Sequence, residues 1–279
     1  MSEQDKYNEI VNNLKNNKFS KITFIAGPGI SLPAGVPDFR ELDESFAPLI
    51  IKYGIEDPLE LFELNSFIED PKPFYEFCKL FDVDSAKPTK THLFMGFLYK
   101  KNIVEKIFTQ NIDALELKAG LPEDVVVFAH GRANAACCPK CQAPMDLCDL
   151  KNEYIMKDKI KYCENCNIPI KPKVTFYGED LPPNFYTSFL AIQETDLCFI
   201  LGNDLGIAPF NSLPGKIPEN SWKVVINDEK VGGFLFDDPN VHDLFVKGKP
   251  DDIIEKLVKD IGWEEEFKKF CQQIMAVYG

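Results

Sequence analysis

Seven short apolar runs punctuate this chain: "ITFIAG", "EKIFTQN", "VVVFAHG", "KVTFYG", "DLCFILGN", "WKVVIN" and "HDLFVKG". Most are apolar at consecutive rather than alternating positions, so both faces of the strand must be buried, as in parallel strands covered on two sides. Helical patterns lie between several of them. "TKTHLFMGFLYKKN" and "PPNFYTSFLAIQE" carry apolar residues at helical spacing, and "PDDIIEKLVKDIGWEEEFKKFCQQIM" reads as one long helix or a broken pair. Strands alternating with helices predict a doubly wound α/β sheet. The chain has 279 residues, room for one large domain and a smaller one.

Two stretches break the alternation. Residues 41–80 are helical in pattern, rich in proline and aromatics, and hold no clear strand. Residues 132–170 have little apolar periodicity and many turn residues. We read both as insertions that build the smaller domain, 41–80 as a helical module and 132–170 as a metal-bound unit. Residues 1–40, 81–131 and 171–279 then form the large domain. Ligands in such folds bind at the carboxyl ends of the strands and at domain junctions.

The metal reading comes from the cysteines. "CPKC" (Cys138, Cys141) and "CENC" (Cys163, Cys166) make C-x2-C-x21-C-x2-C. Two close thiolate pairs supply the tetrahedral set that one structural Zn²⁺ prefers. Cys137 and Cys148 are taken as free thiols. Nine cysteines in a chain whose N-terminus is polar, with no apolar leader, suggest metal and free thiols before disulfides. No apolar run approaches the ~20 residues of a membrane-spanning helix. The lack of a targeting signal points to an intracellular protein, the cytoplasm first and the nucleus second. A net charge of -13 opposes non-specific nucleic-acid binding and suits basic partners.

Polar residues gather where the strands end. After "ITFIA" come Gly27, Pro28, Gly29, Ile30 and Ser31, then Asp38, Phe39 and Arg40. A strand that breaks into a Gly-rich turn before a helical start can present backbone N–H groups to an anion. The spacing is not G-x-G-x-x-G, so the turn alone is a weak phosphate signal. "TQNID" ends a second strand, "AHG" a third, "LGND" and "IND" two more. His130 sits at a strand end beside a glycine, which raises it above an ordinary structural histidine. His92 reads as structural, and His242 has no polar constellation.

With these blocks assembled, the chain resembles the sirtuin family of NAD-dependent protein deacylases, and within it the class of eukaryotic cytoplasmic and nuclear deacetylases. The resemblance is carried by "GPGISLPAGVPDFR", "TQNID", "HG", the two CxxC pairs, "KPKVTFYGEDLP", "LGNDLGIAPF" and "IND", in family order, over roughly residues 15–270. It implies a Rossmann-like NAD-binding domain, a small domain of zinc ribbon plus helical module, and NAD between them as co-substrate. By position it implies that Gly27 to Ser31 line the phosphate loop. Asp38, Phe39 and Arg40 begin a loop over the nicotinamide ribose. Gln110, Asn111, Ile112 and Asp113 hold the ribose and the nicotinamide amide, with Asn111 and Asp113 counted as catalytic. Gly202, Asn203, Asp204, Asn227, Asp228 and Pro250 complete the cofactor site. Thr175, Phe176, Tyr177, Gly178 and Glu179 clamp acyl-lysine peptides or proteins, histone tails among the candidates. His130 is the implied general base, suited by the ordinary imidazole pKa near ~6.5. The implied products are nicotinamide, O-acyl-ADP-ribose and free lysine.

Six positions depart from the family pattern. Pro28 stands where Ala is usual and removes one N–H. Asn203 and Asp204 replace small hydroxylic residues, and a carboxylate beside a pyrophosphate repels it. Arg132 replaces a small residue and is expected to point outward. Thr175 replaces a commoner Val. Pro250 stands where many members offer an N–H to adenine. No Tyr-x-x-Arg pair follows Arg40, which favours a neutral acyl group over succinyl. Two other readings stay open: a mono-ADP-ribosyltransferase or NAD hydrolase, and a non-catalytic binding module of the same fold.

Overall fold

The computed structural model describes residues 1–38, 46–81 and 83–278. Phe39 and Arg40 therefore lie outside the described residues. Nine strands are present among those described: β1 (Ile22–Ala26), β2 (Val104–Thr109), β3 (Val126–Phe128), β4 (Gly131–Cys137), β5 (Pro144–Met145), β6 (Lys171–Val174), β7 (Leu197–Leu201), β8 (Trp222–Asn227) and β9 (Asp243–Lys247). Six of them form one sheet in the order β3-β2-β1-β7-β8-β9, every pair parallel. Counted within the sheet, the order reverses direction between β1 and β7, the switch point of a Rossmann-like doubly wound sheet. Ala26 is in register with both Thr109 and Leu201, so β1, β2 and β7 end level.

The two-sided apolar pattern is the reason for this architecture. Ile22 and Phe24 join a core under the helices Glu3–Lys15, Lys90–Lys100, Pro250–Ile261 and Glu264–Met275, while Ile25 joins a separate core with Phe185 and Phe210 on the other face. Phe24 stacks on Phe199 at 5.4 Å between centroids and meets the edge of Phe94 at 6.4 Å. The C-terminal pattern resolves as the broken pair. Gly262, at φ +87°, caps the first helix in the left-handed conformation that glycine adopts freely.

"KVTFYG" is the exception among the seven runs. It contributes β6, which lies not in the parallel sheet but in a three-stranded antiparallel sheet, order β5-β4-β6. The physical reason lies in its partner. β4 follows β3 with only Ala129 and His130 between, and Gly131 turns the chain at φ +70° toward β6. The parallel sheet's edge is thereby left behind.

Residues 46–81 form helices Ala47–Tyr53, Leu64–Glu69 and Lys72–Leu80 and a short 3-10 turn, Pro58–Phe62. Their aromatics, Phe62, Phe67, Phe74 and Phe77, share one core with Cys138, Ile170, Val174 and Phe176 of the cysteine region. The helical module and the ribbon are thus cemented to each other. That core also takes in Ile112 and Leu115, which flank Asp113.

Candidate functional site

The switch point puts Gly27 and Gly202 side by side. Gly27 N donates to Leu201 O, and Gly29 N donates to Gly202 O, both at 3.0 Å. A Cβ on Gly27 would lie 2.5 Å from Gly202 O, and one on Gly29 would lie 2.8 Å from Gly202 Cα. These glycines are needed because backbone packs against backbone at the switch point. Pro28 opens a 3-10 turn, Pro28–Ile30, at a position where its missing N–H leaves no bond unmade. Ser31 is buried and its N–H donates to Pro28 O at 2.8 Å.

From the end of β2, Asn111 reaches across: its Nδ2 donates to Gly27 O and Ser31 Oγ, each at 3.1 Å. Gln110 Oε1 accepts from Asn203 Nδ2 at 3.1 Å, while Gln110 Nε2 is buried with no partner. Asn203 Nδ2 also donates to Ala26 O at 3.0 Å, and its Oδ1 accepts from Leu205 N at 2.7 Å. Asn203 therefore bolts β1, β2 and β7 together at their ends. Asp204 is exposed and its Oδ1 accepts from Gly206 N at 3.1 Å. Asp113 is buried, its Oδ1 accepting from Leu115 N at 2.9 Å, and burial raises its carboxyl above the ordinary aspartate range. Ile112 is buried beside it, and its carbonyl accepts from Ala133 N at 2.7 Å. Asp38 is half-buried. At the far side, Asn227 ends β8 half-buried, Asp228 is exposed, and Pro250 is buried as the first residue of helix Pro250–Ile261.

His130 is half-buried between β3 and β4, with Nδ1 3.3 Å from Gln110 O. Its carbonyl accepts from Thr175 N at 2.8 Å, tying it to the "TFYGE" loop. The ring opens into a pocket of about 290 Å³ whose walls include Phe62, Phe176, Tyr186 and Ile207. Thr175, Phe176, Tyr177, Gly178 and Glu179 all line it. Phe176 is buried against Phe74 at 4.7 Å, whereas Tyr177 stands exposed and its backbone pairs with Phe62 and Leu64. Glu179 turns inward to Lys171, 2.8 Å away, rather than toward the pocket mouth. Arg132 points away from the cofactor side, pairing with Glu123 at 2.8 Å over the Phe128 ring.

Cys138, Cys141, Cys163 and Cys166 place their sulfurs within 4.8 Å of one another. Cys141 Sγ and Cys163 Sγ are 3.7 Å apart, close to the about 3.8 Å edge of a tetrahedron with Zn–S near 2.3 Å. The four cysteines fit one structural zinc ion. Each pair sits on a knuckle whose next residue, Gln142 or Asn167, is left-handed at φ +57° or +51°. Cys137 lies outside the cluster, its thiol 3.6 Å from Gln142 Oε1.

The sequence reading missed several residues here. Glu116 is wholly buried and groups with Asp113 and with His92, whose own burial agrees with its structural reading. Glu116 follows Asp113 in "NIDALE", but Ala114 between them is left-handed and the helix Leu115–Lys118 begins after it, so helical spacing offered no signal for the pair. Phe62, Tyr186 and Ile207 come to the pocket from distant segments and had no local signal.

The family model for the Sir2 family matches residues 27–209. The chain is 32% identical over 257 residues to the NAD-dependent protein deacetylase hst2 of Schizosaccharomyces pombe, covering 92% of this chain and 76% of that protein. It is 33% identical over 266 residues to the NAD-dependent protein deacetylase HST2 of Candida albicans, covering 95% and 79%. It is 32% identical over 260 residues to the NAD-dependent protein deacetylase sirtuin-3 of Mus musculus, covering 93% and 77%. With the switch-point glycines, the strand-end Asn, Asp and His, and the four-cysteine ribbon in one fold, the chain belongs to the Sir2 family.

Proposed function

We propose that this chain is an NAD-dependent protein lysine deacetylase. The observation that carries the reading is the single unit formed by His130 and the "TFYGE" loop, with the histidine opening into the pocket that the loop lines. NAD supplies the leaving nicotinamide and the ribose carbon that accepts the acyl oxygen. Gln110 Nε2, a buried donor with no partner, fits a polar ligand group, since such a donor left unmet costs about 1–3 kcal/mol. Asn111, Asp113 and Ser31 form the floor of the nicotinamide side, and Gly202, Asn203, Asn227, Asp228 and Pro250 border the remainder. Asp204, exposed and turned to Gly206, leaves the phosphate side open. Asp38, Phe39 and Arg40 are assigned to the loop above the ribose from the sequence alone.

In this reading His130 takes the proton from a ribose hydroxyl, and the aromatic pocket keeps water from competing. The acyl-lysine lies between Gly178–Asp180 on one side and Ile207–Pro209 on the other, which border the same pocket. No lysine or arginine lines that pocket among the described residues, while Asp180 does, so a neutral acyl group is preferred over an acidic one. The net charge of -13 suits lysine-rich protein segments, histone tails included. Residues 1–40, 81–131 and 171–279 serve as the NAD domain, with β6 lent to the small sheet, and 41–80 with 132–170 as the small domain. The protein is taken to work inside the cell, the cytoplasm first. The zinc holds the ribbon and takes no part in the chemistry.

The test is nicotinamide release from NAD, followed by mass spectrometry with an acetyl-lysine peptide, a myristoyl-lysine peptide or no peptide. Release should require peptide and match deacylated product, and His130→Ala should cut it by about 10²–10⁴-fold. Release without peptide would instead mean NAD hydrolysis or ADP-ribosyl transfer. No release at saturating NAD would mean a binding module.

A further inference from the structure

β6 and the loop after it carry a buried charge pair that the chemistry does not use. The Lys171 side chain is 2% exposed and that of Glu179 13%, and Lys171 Nζ lies 2.8 Å from Glu179 Oε2. The same Glu179 oxygen accepts from Phe176 N at 2.8 Å. Lys171 Nζ also donates to Val174 O and lies 4.2 Å from the centre of the Phe176 ring. Every one of these partners belongs to residues 171–179, the segment whose outer side lines the His130 pocket. On its inner side a second cavity of about 480 Å³ separates the loop from the ribbon, lined by Cys137, Gln142, Lys171 and Glu179.

A buried ion pair adds little net stability, because desolvating two charges offsets most of their attraction. Its geometric effect is specific. The loop turns at Gly178, at φ +92°, and Phe176 N has Glu179 as its acceptor. An apolar pair in the same place would fill the volume but leave Phe176 N unpaired. We propose that Lys171 and Glu179 are positioning residues for the acyl-lysine substrate, a charge clamp that holds the 174–179 loop at the width the acyl chain and peptide backbone require. The inference rests on the deacetylase reading above. Neither side chain touches the reacting atoms; both act through Phe176 and the backbone on either side of it.

The experiment compares wild type, Lys171→Met, Glu179→Asp and Lys171→Met/Glu179→Gln. Affinity for a fluorescent acetyl-lysine peptide is read by anisotropy, and KM for NAD is read separately on the active proteins. Lys171→Met strands a carboxylate and should weaken peptide binding by about ten-fold or more, with the KM for NAD within about two-fold of wild type. Glu179→Asp keeps the charge but cannot span from Lys171 to Phe176 N, and should weaken peptide binding by about three-fold or more. The double variant strands no charge and retains an acceptor for Phe176 N, so it should bind more tightly than Lys171→Met. Should Lys171→Met fail to fold, Glu179→Asp decides alone. Wild-type peptide affinity in the variants that fold, or a parallel loss of NAD and peptide affinity, overturns the clamp. A wild type that binds no acyl-lysine peptide overturns the deacetylase reading and the clamp with it; a wild type that binds beside unaffected variants overturns the clamp only.

Discussion

His92, Asp113 and Glu116 each bring one ligand atom within 4.8 Å of the others, in a place where none of the three is exposed beyond 3%. His92 Nδ1 accepts from Thr89 N at 3.3 Å, which leaves Nε2 as the protonated nitrogen, buried and without a partner. Burial lowers the His92 pKa to about 3, so the ring stays neutral. Burial and the adjacent Asp113 carboxyl push Glu116 from 4.5 up to about 8, so it holds its proton at neutral pH. The consequence for stability has a definite sign. A carboxyl raised in the folded state stabilises fully below its unfolded pKa, and that contribution fades as pH climbs through the folded value. For Glu116 the window runs from about pH 4.5 to about 8. Glu116→Gln mimics the protonated form at every pH. Its melting temperature relative to wild type should therefore rise from pH 5 to pH 8, by a few degrees in a chain of this size. Melting curves for the two proteins that move in parallel across that range would remove the assigned ionisation. His92 acts in the opposite direction, destabilising below pH ~6.5 where only the unfolded chain takes up a proton.

At the scale of strands and helices, six of the seven apolar runs were legible because a fully buried parallel strand writes its environment into consecutive residues. β4, "GRANAAC", was not legible, having small residues and no apolar run. What makes it a strand is pairing with β6, and that depends on Gly131. With φ at +70°, a Cβ there would lie 2.1 Å from Lys173 O. Gly131→Ala should therefore cost about 2 kcal/mol or more from backbone strain and overlap, read as a lower urea midpoint at unchanged slope. A shift under about 0.5 kcal/mol would show that the turn can relax. The candidate site was legible for a related reason: Asn111, Asp113 and His130 follow strands directly, and parallel strands deliver their carboxyl ends to one edge. The inward turn of Glu179 and the bolt made by Asn203 were not, because each is defined by a partner remote in sequence or by loop shape. Lys6 is the clearest case. In a helix that reads as polar, its Nζ is buried and donates to the carbonyls of Phe236, Asp238 and Asp243. No local pattern could announce acceptors so far along the chain.

Over the whole molecule, the zinc ribbon, the helical module and the residues flanking Asp113 share one aromatic core, while the six-stranded sheet is packed by two others. This division decides what metal removal should do. Four thiolates brought together without a cation repel one another, and the knuckles close at Gln142 and Asn167, both exposed, through backbone bonds from Gln142 N to Cys138 O and from Asn167 N to Cys163 O. Loss of zinc should first free Cys138 and Cys163, which are buried within the shared core. Disorder would then pass along β4 and β6 to Thr175, whose N–H holds the His130 carbonyl. The parallel sheet has its own cores and should persist. Chelation should thus abolish peptide-dependent nicotinamide release and strip amide-exchange protection from residues 131–176, while β1, β7 and β8 keep theirs. Protection lost evenly over both sheets would mean that the two units unfold as one. Protection kept in 131–176 after verified zinc loss would mean that the aromatic core alone holds this region, and that the metal serves something other than its stability.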